Sequence, residues 1–370
     1  MEQRGGLPAH TIGFGASSDG VRIAYARYGE GPPLVLNTCW ISQLEYDLQS
    51  PVWRHFLEGL ARLATVYRYD ERGFGLSDWD IPSFDFEARV RDLEAVVEAG
   101  GLEQFALLGM AQGGPVAIAY AHRHPERVSR LVLLGTYAAI ETTDEHAAMD
   151  DALTKLIEVG WGRPEPRFRR VFTDMFMPGA TEVQMRWMDE LMRRTTSTEN
   201  AIAWRRSRAG IDVRPLLPEL RVPTLVLHAR GDQVNPFDDG REVAASIPGA
   251  RFVALDSDNH VLLEDDPASS VFFRELQQFL APDVHRGASA PPMARDPAAL
   301  AALGRLSPRE RDVLALVSVG RDNAVIAGQL NLSVRTVERH LQTVYRKLGL
   351  EGSAQRTAAA ALLFGSTTYA

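Results

Sequence analysis

Residues 105–114, FALLGMAQGG, make the tightest geometric demand in the chain. An apolar run, Phe105 to Leu108, leads into Gly109, and a helix-like segment follows from Pro115 to His124. A strand that becomes a helix across so few residues must turn sharply. Glycines at 109, 113 and 114 let strand and helix approach each other closely there. The residue left at the apex of the turn is Ala111.

The surrounding sequence supplies matching elements. Short apolar runs predict strands at Ile12–Phe14, Val21–Tyr28, Leu34–Leu36, Thr65–Tyr69, Phe105–Leu108, Val128–Leu134, Thr224–His228 and Arg251–Leu255. Helical patterns lie between them at Trp53–Ala64, Phe84–Ala99, Gly114–His124, Gly240–Ile247 and Ser269–Leu280. Such alternation predicts an α/β fold, a parallel sheet covered on both faces. It stops between Tyr137 and Leu217, where the text turns helical and carries Trp161, Phe172, Phe176, Met185, Trp187, Met188 and Trp204. An insertion after a mid-sheet strand is expected to form a helical cap over a site. Its aromatic and Met content suits an apolar ligand, although such residues equally make plain core.

After Leu280 the pattern breaks. The stretch APDVHRGASAPPMARDPAA is rich in Ala, Pro and Gly and has no apolar period, so residues 282–304 read as a linker, with a short helix possible at Ala298–Leu303. This divides the chain into a body (1–281, cap about 137–217) and a small C-terminal module (305–370). Charge follows the same division. Of the net −8, residues 295–370 hold ten Arg/Lys against six Asp/Glu, a net of +4, leaving −12 for the first 294. A basic tail on an acidic body suggests that only the tail meets a polyanion. The single cysteine, Cys39, leaves no intramolecular disulfide and suits a reducing compartment. With no signal-like or membrane-spanning run, a cytoplasmic protein with no membrane partner is expected.

Two further residues sit just past late strands: Asp232 in HARGDQVNP and His260 in DSDNHVLLED. Sites of open α/β sheets lie at strand ends of this kind. Asp232 also suits a turn cap, since Gly-Asp is good turn chemistry. With the G-x-S-x-G spacing around residue 111, the loop YDERGFGLSDWD (69–80) and PERVSRLVLLG, the body resembles the α/β-hydrolase superfamily over about residues 10–281. The resemblance implies a triad of a nucleophile at position 111, Asp232 as acid and His260 as base. It also implies an oxyanion hole from the backbone N–H groups of Gln112 and Trp40. The family usually reads His-Gly where this chain has Thr38-Cys39. Cys39 lies on the wrong loop for a replacement nucleophile and reads as a small buried residue.

At the serine position stands Ala111, whose methyl cannot attack a carbonyl. Three explanations compete: a natural pseudo-hydrolase that kept a pocket, a deliberate Ser→Ala change that traps uncleaved ligand, or another nucleophile. The last is weakest, because without a nucleophile only oxyanion hole and binding contribute. Asp232 and His260 stand intact around one missing oxygen, which reads more like a recent or deliberate substitution.

From Leu306 the text changes again. Ser307 with Glu310 three residues on opens a helix as a capping box, closed by Gly320. Ala324–Leu330 makes a second short helix. Ser333 caps a third, Val334–Leu348, whose seam is Val337, Leu341, Val344 and Leu348. Gln355–Leu363 suggests a fourth. LSPRE, LSVRTVERH and YRKLG resemble LuxR-type helix-turn-helix DNA-binding domains over about 60 residues. The resemblance implies double-stranded DNA as partner, with Glu338, Arg339 and Gln342 facing base edges. Ser333, Thr336, Arg346 and Lys347 would touch phosphates, and Arg335 shares the polar face. It also implies a homodimer on two half-sites.

The combined expectation is a transcription regulator whose hydrolase-like body takes a small ester or lactone, with no metal or organic cofactor called for. The runner-up is a serine ester or lactone hydrolase, inactive through Ala111, with an accessory DNA-binding module. Replacing Arg339 with Ala should weaken cognate operator binding about tenfold, and an unchanged gel-shift affinity would refute the assignment.

Overall fold

The computed structural model describes residues 10–37, 40–140, 143–281, 306–318, 323–330 and 332–348. They fall into two compact units, split between Ala281 and Pro282. The linker, its possible short helix, Thr38, Cys39 and the fourth C-terminal helix lie outside the described residues.

The first unit is built on one eight-stranded sheet in the order β1-β2-β4-β3-β5-β6-β7-β8. Its strands are β1 (Thr11–Ala16), β2 (Arg22–Tyr28), β3 (Pro33–Asn37), β4 (Thr65–Tyr69), β5 (Phe105–Met110), β6 (Val128–Leu134), β7 (Thr224–Ala229) and β8 (Arg251–Leu255). From β4 to β8 all neighbours are parallel, whereas β1 pairs with β2, and β2 with β4, antiparallel. The expected parallel sheet is thus present from β4 to β8, and β1 and β2 add an antiparallel edge to it. The reason is local: β1 and β2 are joined by a tight turn in which Gly20 takes φ +87° and donates to the Ser17 carbonyl. A connection so short permits only a hairpin, because a parallel crossover needs roughly a dozen residues.

The central strands β5 (FALLGM) and β7 (TLVLHA) are buried along their whole length. That is the pattern of strands covered on both faces. Helices α2 (Phe86–Ala99), α3 (Gly113–Arg123) and α8 (Phe237–Ser246) pack on one face with Leu107, Leu131 and Val226. Helices α1 (Arg54–Ala61) and α9 (Pro267–Leu280) pack on the other with Leu36, Leu108 and Leu225.

Between β6 and β7 lie four helices, α4 (Asp144–Gly160), α5 (Arg167–Phe176), α6 (Glu182–Thr195) and α7 (Thr198–Arg206). Trp161, Phe172, Met188 and Trp204 are almost fully buried, so they are core of this insertion rather than exposed lining. Phe176, Met185 and Trp187 are half-buried. The insertion is pinned to the loop after β4: Gly75 N donates to the Thr195 carbonyl (2.7 Å), and Thr196 Oγ1 to that of Gly73 (2.6 Å).

In the second unit, α10 (Pro308–Ser318), α11 (Asn323–Leu330) and α12 (Val334–Leu348) enclose Val313, Val317, Ile326, Ala327, Val337 and Leu341. Both expected caps form. Ser307 N donates to Glu310 Oε2 (2.7 Å) and Glu310 N to Ser307 Oγ (3.3 Å), while Thr336 N donates to Ser333 Oγ (3.1 Å).

Gly114 shows how closely α3 packs. A Cβ there would lie 1.8 Å from Thr136 Oγ1. Gly114→Ala should therefore cost about 1–3 kcal/mol, measured as a shift of the chemical denaturation midpoint; an unshifted midpoint would show that the contact is not tight.

Candidate functional site

β5 ends at Met110, and the chain must enter α3 three residues later. Ala111 makes the turn with φ +48°, and among the described residues no other non-glycine has positive φ. For alanine this left-handed conformation costs about 1–2 kcal/mol. It is held from three sides. Ala111 N donates to the Leu134 carbonyl (2.9 Å), Gly114 N donates to the Ala111 carbonyl (3.1 Å), and Thr136 Oγ1 donates to the same carbonyl (2.7 Å). Ala111 is itself buried at this turn.

Asp232 follows β7 and divides its two oxygens. Oδ1 accepts the N–H groups of Val234 (2.8 Å) and Asn235 (3.0 Å), which closes the turn that Gly-Asp chemistry favours. Oδ2 accepts from His260 Nδ1 (2.6 Å). A carboxylate can only accept, so Nδ1 carries the proton and Nε2 is the ring's basic nitrogen. Burial alone would raise the Asp232 carboxyl. The charge of His260 and hydrogen bonds from His228, His260 and Asn235 outweigh it and hold the carboxyl well below the usual carboxylate range. His260 is fixed in turn: Val261 N donates to the Phe176 carbonyl (3.0 Å), and the Phe176 ring lies 6.3 Å from the imidazole. Gly135 backs onto the pair, since a Cβ there would sit 3.3 Å from His260 Cε1 and 3.5 Å from Asp232 Oδ2. The next residue, Thr136, is the one that grips Ala111. The structure thus gathers the three expected triad positions around one strand end.

Gln112 precedes the first turn of α3, where N–H groups have no intrahelical acceptor. Trp40 follows β3 and is buried. Its ring stacks on Trp204 (4.7 Å, 9°) and on Trp161 (5.4 Å, 28°), so the loop expected to give an oxyanion donor is clamped by the helical insertion. Sequence reading assigned Trp40 a backbone role and missed this one, because stacking partners 121 and 164 residues away leave no local signal.

The loop DERGFGLSD proves structural. Arg72 is fully buried and binds Asp92 through two bonds (2.8 and 2.6 Å) and Asp19 (2.7 Å). Asp70 accepts from Ser42 Oγ (2.6 Å), Leu44 N (3.2 Å) and Leu76 N (2.9 Å), and burial pushes its carboxyl up to about 6. Sequence reading also missed His228, whose Nε2 lies 2.9 Å from the Asn235 carbonyl and 3.5 Å from Asp232 Oδ2. Arg89 and Glu71, an ion pair at 3.1 Å beneath Trp204, were missed as well.

On α12, Arg335, Glu338, Arg339, Gln342 and Arg346 are exposed, and Thr336 and Lys347 are half-buried. Ser333 Oγ and Thr336 Oγ1 are 2.7 Å apart at the start of the helix. Lys347 differs from its neighbours, because Nζ donates to Glu310 Oε2 (2.7 Å) and ties α12 to the first turn of α10.

The Asp232–His260 bond has a sign that can be checked. The folded carboxyl lies below its ordinary 3.8, so its stabilisation is complete above about pH 4 and is lost as pH falls further. Asp232→Asn should cost about 3 kcal/mol at pH 7, with the gap to the parent closing below about pH 4. A gap constant with pH in denaturant melts would refute the ionised bond.

The comparisons with known proteins agree with this geometry. The family model described as alpha/beta hydrolase fold matches residues 32–267, and that of bacterial regulatory proteins, luxR family, matches residues 304–360. The AB hydrolase superfamily protein YisY of Bacillus subtilis is 29% identical over 243 residues, covering 63% of this chain and 86% of that protein. The pimeloyl-[acyl-carrier protein] methyl ester esterase of Aliivibrio salmonicida is 26% identical over 260 residues, covering 69% and 94%. A hydrolase from Pseudomonas aeruginosa PA01 has a similar structure, with a TM-score of 0.62 at 26% identity over 74% of this chain and 99% of that one. The chain therefore belongs to the α/β-hydrolase fold family and carries a C-terminal DNA-binding domain of the luxR family.

Proposed function

We propose that the protein is a ligand-responsive transcription regulator. Its hydrolase unit takes a small ester or lactone with an apolar body beneath the helical insertion, and occupancy changes how two DNA-binding domains of a homodimer pair on an operator. Such a regulator works in the cytoplasm. One observation carries this reading. A strained elbow at residue 111 shares a strand end with an Asp232–His260 pair bonded at 2.6 Å, yet it carries a methyl group, in a chain that also holds a DNA-binding domain. A site that binds without cleaving is a receptor.

The chemistry is legible from what is present. Acyl transfer needs an oxygen nucleophile whose proton passes to His260 Nε2, while Asp232 holds the imidazole in the right tautomer and stabilises its cation. With Ala111 there is no proton to pass and no lone pair to attack. Binding and the N–H donors of Gln112 and Trp40 remain. The retained pair favours a recent or deliberate replacement of serine. With a hydroxyl at 111, cleavage would make the signal self-limiting.

The second reading is a serine ester or lactone hydrolase with an accessory DNA-binding module. It is favoured by the same intact pair, and it predicts turnover indifferent to DNA and operator binding indifferent to substrate. The test is hydrolysis of aryl esters and lactones by the parent and by Ala111→Ser. We expect turnover in the serine form alone, at least about 10³-fold above the parent. Turnover by both forms would remove the receptor reading. Turnover by neither would leave a pocket that only binds. Operator affinity measured with and without the substrate then separates regulator from accessory module.

A further inference from the structure

His260 stands between two residues that are each tied to the helical insertion. On one side, Val261 N donates to the Phe176 carbonyl at the end of α5 (3.0 Å). On the other, Asn259 Oδ1 accepts the Gly179 N–H from the connection between α5 and α6 (2.9 Å). That connection is firm. Ala180 N closes it as a turn on the Met177 carbonyl (3.0 Å), Met177 N reaches back to the Thr173 carbonyl (3.0 Å), and the Met177 side chain is fully buried.

Asn259 is itself buried, and both ends of its amide are used. While Oδ1 faces Gly179, Nδ2 donates to Asp266 Oδ2 (2.9 Å). Asp266 is the N-cap of α9: its Oδ1 accepts from Ala268 N (2.9 Å), and its Oδ2 also takes the Ser257 hydroxyl. Ser257 Oγ in turn accepts the Asn259 N–H (3.0 Å). A peptide N–H can only donate and a carboxylate can only accept, so these two neighbours fix the orientation of the amide. At this side-chain length only an amide meets a donor at one end and a carboxylate at the other. The approach is close as well, since a Cβ at Gly179 would lie 3.2 Å from both Nδ2 and Oδ1 of Asn259.

Among the described residues, the imidazole of His260 is held by its bond to Asp232 Oδ2 and by packing against Phe176. Where the ring sits on Asp232 therefore depends on where the backbone of residues 259–261 sits. The insertion sets that backbone from one side and the start of α9 from the other. A short charge-assisted bond such as the 2.6 Å one to Asp232 weakens as its atoms draw apart.

We propose that Asn259 is a positioning residue, through which the seat of the helical insertion sets the alignment of His260 on Asp232. This deepens the reading above and rests on it for the role of His260 as base. A ligand that shifts the α5–α6 connection would then shift the base with it.

The first readout needs no substrate. The proton of a short Asp–His bond is strongly deshielded, and His260→Gln identifies its resonance in the proton NMR spectrum of the full-length chain. Asn259→Ala should move that resonance upfield. Gly179→Ala, a change in the insertion, should move it the same way, and should move it no further once Asn259 is Ala. Asp85→Ala, which removes the N-cap of α2, should lower the denaturation midpoint and leave the resonance in place. A parent-like resonance in Asn259→Ala or Gly179→Ala, additive effects of the two, an equal effect of Asp85→Ala, or no such resonance in the parent would each overturn the proposal. Gly179→Ala alone carries the comparison if Asn259→Ala does not fold. The second readout is hydrolysis of phenyl acetate by Ala111→Ser, where adding Asn259→Ala should lower kcat about tenfold and leave KM within about twofold. A change confined to KM would also overturn the role. If the serine form cleaves nothing while the NMR pattern holds, the ester reading fails and the positioning of His260 stands. If it cleaves esters while the resonance ignores both substitutions, the positioning fails and the ester reading stands.

Discussion

The geometry of the hydrolase unit depends on the turn between β5 and α3. A strand buried on both faces has to become a helix within three residues, and the price is an alanine in left-handed conformation. Such strain persists only where the surroundings over-determine it. Leu134 and Thr136 supply the over-determination by holding the Ala111 peptide from both sides, Gly109 removes a side chain that would keep strand and helix apart, and Gly114 one that would collide with Thr136. Gly135, between Leu134 and Thr136, lies against His260 and Asp232. The strand end that holds the elbow therefore also positions the acid–base pair.

The helical insertion is coupled to the same point by a different kind of contact. Trp204 stacks on Trp40, donates its indole N–H to Glu71 (2.8 Å), and through Glu71 and Arg89 reaches the Gln112 carbonyl. Both residues expected to give oxyanion donors thus feel the position of one tryptophan. On the other side, Phe176 and Gly179 bond to the loop that carries His260, the Gly179 N–H donating to Asn259 Oδ1 (2.9 Å). Movement of the insertion would alter both halves of the site.

The C-terminal unit solves a smaller problem by simpler means. α12 buries Val337, Leu341 and Val344 and turns Arg335, Glu338, Arg339 and Arg346 outward, so one helix supplies both core and a charged outer face. Glu310 closes the capping box of α10 and accepts the Lys347 ammonium, joining the start of the first helix to the end of the third. A lysine expected to meet phosphate is thus drawn at least partly into the fold.

How much was legible follows from the range of each interaction. Strand spans such as Thr65–Tyr69, Val128–Leu134 and Arg251–Leu255, the caps at Ser307 and Ser333, and the seam of α12 rest on neighbours a few residues apart, so composition and period reveal them. The elbow and the residues at strand ends were visible for the same reason, since motif spacing is local. The antiparallel edge was missed, although the Ser-Ser-Asp-Gly turn that causes it stands in the text. By itself the sequence determined the elements, the division into body and DNA-binding module, and which residues could serve as acid and base. Only the tertiary structure decided that Asp232 meets His260 at 2.6 Å, that Trp40 lies between Trp161 and Trp204, and that Arg89 is buried with donors to spare. Each of these joins residues far apart in the chain, and a side chain's burial or unpaired donors exist only once the partners that surround it have been brought together.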